Sequence, residues 1–376
     1  MRNKQWRWVA FGLCLGLCLD SLAWGNETDQ FTLPPREEFV DLGPLISQIH
    51  LQVLDRVTAD LNRRIDRAMK LRDPERSEAL AALHSPAAAA DRIRAAFGPG
   101  MSEMNQLEWV LDSGRGKKLF PGKRLGYRTM LWIYADAHLP FDPRKLPLLF
   151  PSSTIRLYDS FMGADKLGHF HDLGHIYFKR YLALRAQGLD DAQAQRSTVL
   201  EFSRGPISED AVIGRLATGV RSNADLAANY IGYKFYRNLT EATRIGGRDL
   251  PPLMVRDGMH WRLNDHVLPY SDFMRPYFSD HFNEALNPCQ YEWSMRDSIR
   301  RRLQKAAAEI RAFYVDKHGL PRTREAFEHL ALELSTYHGE DYGFMGDPLQ
   351  GVTIANSCFE SEDVERTKLA AGEGER

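Results

Sequence analysis

The sequence predicts a mostly α fold, an irregular multi-helix bundle with long aromatic-rich connecting loops. Two observations carry this: apolar residues recur at spacings of three and four through several long windows, and alternating strand-like runs are almost absent. A third sets the scale. Over 376 residues, 43% hydrophobic and 11% aromatic content is enough for a substantial core. Basic and acidic residues nearly cancel, 49 against 50, so global electrostatics suggests neither nucleic acid nor an anionic surface as partner. Any charged partner must be met locally.

The chain opens on "MRNKQWR", positively charged, followed by the apolar run "WVAFGLCLGLCLDSLAWG". This is the pattern of a signal peptide over residues 1–25, with cleavage near Ala23 to Asn26. An uncleaved N-terminal anchor is the alternative. Lipidation is disfavoured because Cys14 and Cys18 each follow a leucine where that signal wants a small residue. The expected location is therefore exported, in the periplasm, with no transmembrane span in the mature chain. A polar lead-in covers 26–37, a single α-helical domain 38–359, and a charged, small-residue-rich tail 360–376 is expected to be disordered. Export would leave Cys289 and Cys358 as a disulfide candidate, closing a loop of roughly 70 residues and contributing on the order of 4 kcal/mol in the entropic model.

From Pro44 to Leu71, Ile46, Ile49, Val53, Val57, Leu61, Ile65 and Met69 fall on one helical face, with proline tolerated in the first turn. A second helix covers "AAAADRIRAAF" and stops at "GPG". Short aromatic-rich pieces broken by proline and glycine run from Met104 to Leu149. The centre is the most periodic part, with helices expected at 163–186, 190–204, 208–218 and 222–239, the last capped by Ser222. Residues 241–287 read as loop. Helices follow at 297–316 and 324–337, separated by the stop signals Gly319 and Pro321.

The central segment 163–239 holds the candidate chemistry. "GADKLGHFHDLGH" packs three histidines, two aspartates and three glycines into a helix whose propensity they lower. Residues three, four and seven apart share a face, so Asp165, His169 and Asp172 project together, and His171 and His175 form a second pair. In "SNADLAANYIGYKFY", Asp225, Asn229 and Gly232 line one face of a helix otherwise apolar. A buried aspartate needs partners. Close approach at Gly168 and Gly232 would bring Asp225 and Asn229 onto Asp165 and His169, with Glu201 as the inward carboxylate in preference to Glu209.

The series Asp165-Lys166-x-x-His169-Phe170, then Glu201, then Asp225-Leu226-x-Ala228-Asn229-x-x-Gly232 resembles the D-K-x-x-H-F … E … D-L-x-A-N-x-x-G pattern of VanZ-like proteins and related small bacterial envelope proteins, across residues 165–232. Those relatives are membrane-embedded, whereas these helices carry too many charges to span. The whole chain also resembles an uncharacterised family of exported proteobacterial proteins, which implies location more than activity.

Carboxylate, imidazole and amide groups are ligands for a divalent metal, and without metal they are general acids and bases. Asp165, His169, His171, Asp172, His175 and Asp225 are the metal-ligand candidates; zinc, manganese and iron all fit such a mixed set. Asp165, His169, Glu201, Asp225 and Asn229 are the catalytic candidates for a hydrolase acting on a cell-envelope component. The competing reading is a non-catalytic envelope structural or binding protein in which the same residues form a hydrogen-bond network. His260, Asp265, His266, His281, Glu284, His338, Glu340 and Asp341 read as surface or structural, and "GRGKK" as a basic turn. No nucleotide-binding glycine loop, nucleophile elbow or nucleic-acid-binding stripe is present.

Overall fold

The computed structural model describes residues 26–97, 118, 120–127, 150–205, 208, 219–267, 272–340 and 342–359. The leader, most of the segment 104–149, all but the first residue of the helix expected at 208–218, and the tail lie outside these residues. The protein is mostly α, as the periodicity predicts.

Helix α1 (Gly43–Ala68) buries Ile46, Val53, Val57, Leu61 and Ile65, with Pro44 in its first turn. Met69 lies past its end and is exposed. Helices α2 (Glu75–Leu83) and α3 (Pro86–Phe97) fold back against it, and α3 buries Ala89, Ala90, Ile93 and Phe97. The central segment begins with the hairpin β3 (Thr154–Leu157) and β4 (Ser160–Gly163), preceded by a parallel pairing of β1 (Asn26–Glu27) with β2 (Phe150–Pro151). The helix expected at 163–186 forms in three continuous parts: α4 (Asp165–Gly168), a π-helical turn (His169–Leu173) and α5 (Gly174–Ala186). Helix α6 (Asp191–Arg204) starts from a capping box between Asp190 and Gln193.

Strand β5 (Val220–Arg221) leads into α7 (Asn223–Asn238), where Ser222 caps the first turn by accepting from the Asp225 amide. Every residue of α7 except Arg237 is buried, so this helix is the axis of the molecule rather than an amphipathic cover. It packs on α5 through backbone contact. A β-carbon on Gly174 would stand 2.6 Å from the Gly232 backbone, and one on Gly232 would overlap the Phe170 carbonyl oxygen. The close approach foreseen at Gly168 therefore uses Gly174.

The segment read as loop at 241–287 contains two hairpins, β6 (Thr243–Ile245) with β7 (Arg248–Leu250) and β8 (Met254–Asp257) with β9 (His260–Leu263). Their strands are too short for alternation to register, but their turns carry the signal. Gly246 and Gly247 both have positive φ, as a type I′ turn requires, and Gly258 supplies the single positive φ of the second turn. Strand β10 (Gln290–Tyr291) pairs with β5, and the helix expected at 297–316 divides into α8 (Trp293–Lys305) and α9 (Ala307–Phe313). Helix α10 (Arg324–Ser335), capped by Thr323, and α11 (Ile354–Ser357) complete the fold.

Two apolar cores result. The larger joins α1, α3, α5 and α7, and the smaller joins α8 to α11 with Phe161, Val220, Ala285 and Leu286. Among the described residues no helix is long and apolar enough to cross a membrane. Cys289 and Cys358, the expected disulfide pair, are both buried in the smaller core and are not bonded to each other. Each sulfur points to a different stretch of backbone, Cys289 to the Glu284 and Asn287 carbonyls and Cys358 to the Leu303 carbonyl, and burial raises the Cys358 thiol to about 12.

Candidate functional site

Where the two cores meet, the first turns of α4 and α7 and the loop after the 3₁₀ turn Asp280–Phe282 converge on a single buried cation. The Lys166 ammonium is fully buried and lies 2.6 Å from Asp165 Oδ2 and 2.5 Å from Asp225 Oδ1, and it donates a short hydrogen bond to Glu284 Oε1. The ammonium donates to Asp165 and Glu284, and the Asp225 carboxylate completes the group as an ion pair. A second layer fixes the acids. Thr28 Oγ donates to Asp165 Oδ1 at 3.0 Å, and the Asp165 amide donates to Ser152 Oγ. The Glu284 amide donates to Gln30 Oε1 at 2.7 Å. The N-terminal segment is thus built into the site.

His169 occupies the edge of the cluster, its side chain 13% exposed. Its Nδ1 lies 3.0 Å from Asn229 Oδ1, so that nitrogen carries the proton and donates. Nε2 is then the basic nitrogen, 3.5 Å from Asp225 Oδ2. The spacing of Asp225 and Asn229, four apart on α7, is what lets one helix hold both sides of the imidazole.

Three carboxylates against one ammonium leave excess negative charge in a dry environment, and the acids respond differently. Burial, reinforced by the charges of Asp165 and Asp225 and only partly opposed by Lys166, pushes Glu284 up to about 8. Burial also disfavours ionised Asp225, but His169 and Lys166 outweigh it and hold this carboxyl below its ordinary range. Burial likewise opposes the charge on Lys166, yet Asp165, Asp225 and Glu284 together raise it well above an ordinary lysine. Near neutrality Glu284 therefore holds a proton beside the Lys166 ammonium and the Asp225 carboxylate.

Asp165, His169, Asp225 and Asn229 are brought together as the spacing predicts. Glu201 is not: it is about half exposed on α6 and pairs with Arg180 at 2.8 Å, because the outer face of that helix is the one it occupies. The inward carboxylate is Glu284, a residue whose sequence context reads as surface or structural. Asp172, His171 and His175 are also separated from the cluster. The π-helical turn adds a residue to the helical repeat, so the phase beyond His169 no longer follows a 3.6-residue period. Asp172 pairs with Arg94 at 2.7 Å and His175 with Asp91 at 2.9 Å. His171 is buried among Phe97, Phe170 and Phe235, with its Nε2 3.0 Å from His50 Nε2. His281, for which the sequence leaves a surface or a structural role, is buried against Tyr337.

Of the six metal-ligand candidates, Asp165, His169 and Asp225 remain together, with ligand atoms within 4.8 Å of one another. That span suits one ion, but the Lys166 ammonium already bridges the two aspartates and supplies the positive charge a metal would bring. The donor set thus fits a buried lysine better than a divalent metal. No protein-family model, curated protein or solved structure matches the chain, and the functional reading rests on this geometry.

Proposed function

We propose that the chain is an exported protein that hydrolyses a cell-envelope component by acid–base chemistry at this cluster. The observation that supports it is one partly exposed imidazole at the edge of a buried Lys–Asp–Asp–Glu group, with Nδ1 tied to Asn229 and the basic Nε2 beside Asp225. In this reading Nε2 of His169 takes a proton from water, and the Asp225 carboxylate stabilises the imidazolium that forms. Lys166 favours the charged form of Asp225 and pairs with Asp165, and Glu284 is a proton donor within the cluster. The signal-peptide pattern supports the compartment, and the local VanZ-like pattern supports an envelope role; peptidoglycan and lipid-linked precursors are the substrates to examine.

The test is product release from purified peptidoglycan and lipid-linked material by the protein, with His169→Asn and Glu201→Gln beside it, each with its metal content measured. Expected is release by the protein and by Glu201→Gln, loss in His169→Asn, and no stoichiometric metal. Metal lost together with activity in His169→Asn would instead support a metal-assisted site. A second reading has its own support. The Lys166 side chain is 0% exposed, and each of its ion pairs is internal, which suits a structural network that locks α4 to α7 in a non-catalytic envelope protein. No release from any envelope fraction, with His169→Asn markedly destabilised, would favour it.

A further inference from the structure

We propose that the outward face of α8 docks on an anionic lipid surface. The helix turns Met295, Ile299 and Leu303 into the smaller core. At about 100° per residue, the opposite face carries Trp293, Asp297, Arg301 and Lys305. Trp293 is 75% exposed, the most exposed large hydrophobic side chain among the described residues. Five basic residues, Arg296, Arg300, Arg301, Arg302 and Lys305, accompany one acid, Asp297, in a chain whose charges otherwise nearly cancel. Arg296 is the one that pairs with Asp297, at 3.5 Å. Among the described residues Arg301 and Lys305 are exposed and have no carboxylate at ion-pair distance, so their charge is presented outward.

The chemistry selects a lipid headgroup region. Indole is amphipathic and favours the boundary between acyl chains and headgroups, and guanidinium groups bind phosphate through paired donors. A basic helix face with one aromatic at its end is the arrangement of an interfacial helix. Single-stranded nucleic acid would call for successive aromatic rings along a basic groove, and a protein partner for an apolar centre; this face offers one ring beside arginines. The face is separate from the His169 cluster, so this inference stands independently of the catalytic reading.

The test is vesicle flotation of the full chain, Trp293→Ala and Arg301→Glu/Lys305→Glu, with phosphatidylcholine alone and with phosphatidylglycerol added. The N-terminal apolar run is common to all three, so the differences between them report α8. Binding of the full chain to phosphatidylglycerol vesicles is expected to exceed binding to phosphatidylcholine by at least about tenfold and to weaken with salt. Each variant is expected to lose at least about tenfold of the anionic binding with an unchanged circular dichroism spectrum. Equal binding to both lipids, no binding, variants indistinguishable from the parent, or retention of nucleic acid in place of vesicles would overturn the proposal.

Discussion

The Lys166 ammonium donates to the Glu284 carboxyl across 118 residues of sequence, and this contact ties the start of α4 to the loop that enters the smaller core. Among the described residues Lys166 is the cation that pairs with both buried aspartates of the cluster. Lys166→Met should therefore cost about 3–5 kcal/mol, because it strands buried charge. Glu284→Gln keeps the shape and an acceptor oxygen and should cost no more than about 1–2 kcal/mol. Urea unfolding of both variants at neutral pH measures the difference.

Glu284 sets an alkaline limit. Its carboxyl is raised from 4.5 to about 8, so the folded chain holds a proton that the unfolded chain releases once pH exceeds the lower value. Between those values the unfolded state binds fewer protons, and stability falls as pH rises. Unfolding free energy followed from pH 5 to pH 9 should show this decline, and Glu284→Gln should remove it.

His171 and His281 act with the opposite sign. Burial lowers each from 6.5 to about 3, so below 6.5 the unfolded chain takes up protons that the folded chain refuses. Stability falls as pH drops through that window. The Glu284 contribution opposes it above 4.5, so Glu284→Gln is the background in which to see it. There, His171→Phe should flatten the acid limb of the stability profile measured by thermal melting.

The α5–α7 crossing depends on the absence of side chains at Gly174 and Gly232. A β-carbon on Gly232 meets the Phe170 carbonyl, a backbone atom that yields only if the π-helical turn moves. Gly232→Ala should cost at least about 2 kcal/mol and displace His169, which stands one residue before Phe170. A shift of the His169 resonances in two-dimensional NMR would report that displacement.

Four of the site residues were legible because helical spacing alone brings them together: Asp165 with His169, and Asp225 with Asn229. The Ser222 cap was legible for the same reason, being local. Glu284 was hidden because it reaches the cluster from a loop, where no period indicates which way a side chain points. Lys166 was passed over because lysine is almost never fully buried unless paired, and its partners lie far along the chain. Glu201 misled because an apolar neighbourhood in sequence does not fix the phase of a helix. The π-helical turn took Asp172 out of phase with Asp165 and His169, and nothing in a 3.6-residue pattern announces such a turn; His171 and His175 belong to another face in either geometry. The hairpins at Gly246 and Gly258 were announced by their turn residues, but strands of three and four residues leave too little alternation to read.

In the proposed function His169 performs chemistry while the residues behind it hold the fold. The most direct test is to measure product release from envelope material and unfolding free energy on the same preparations of the protein and His169→Asn. The expected result is release reduced by at least about 10²-fold with stability changed by no more than about 1 kcal/mol. Unchanged release, or a stability loss of several kcal/mol with release falling only in proportion to the folded fraction, would contradict it.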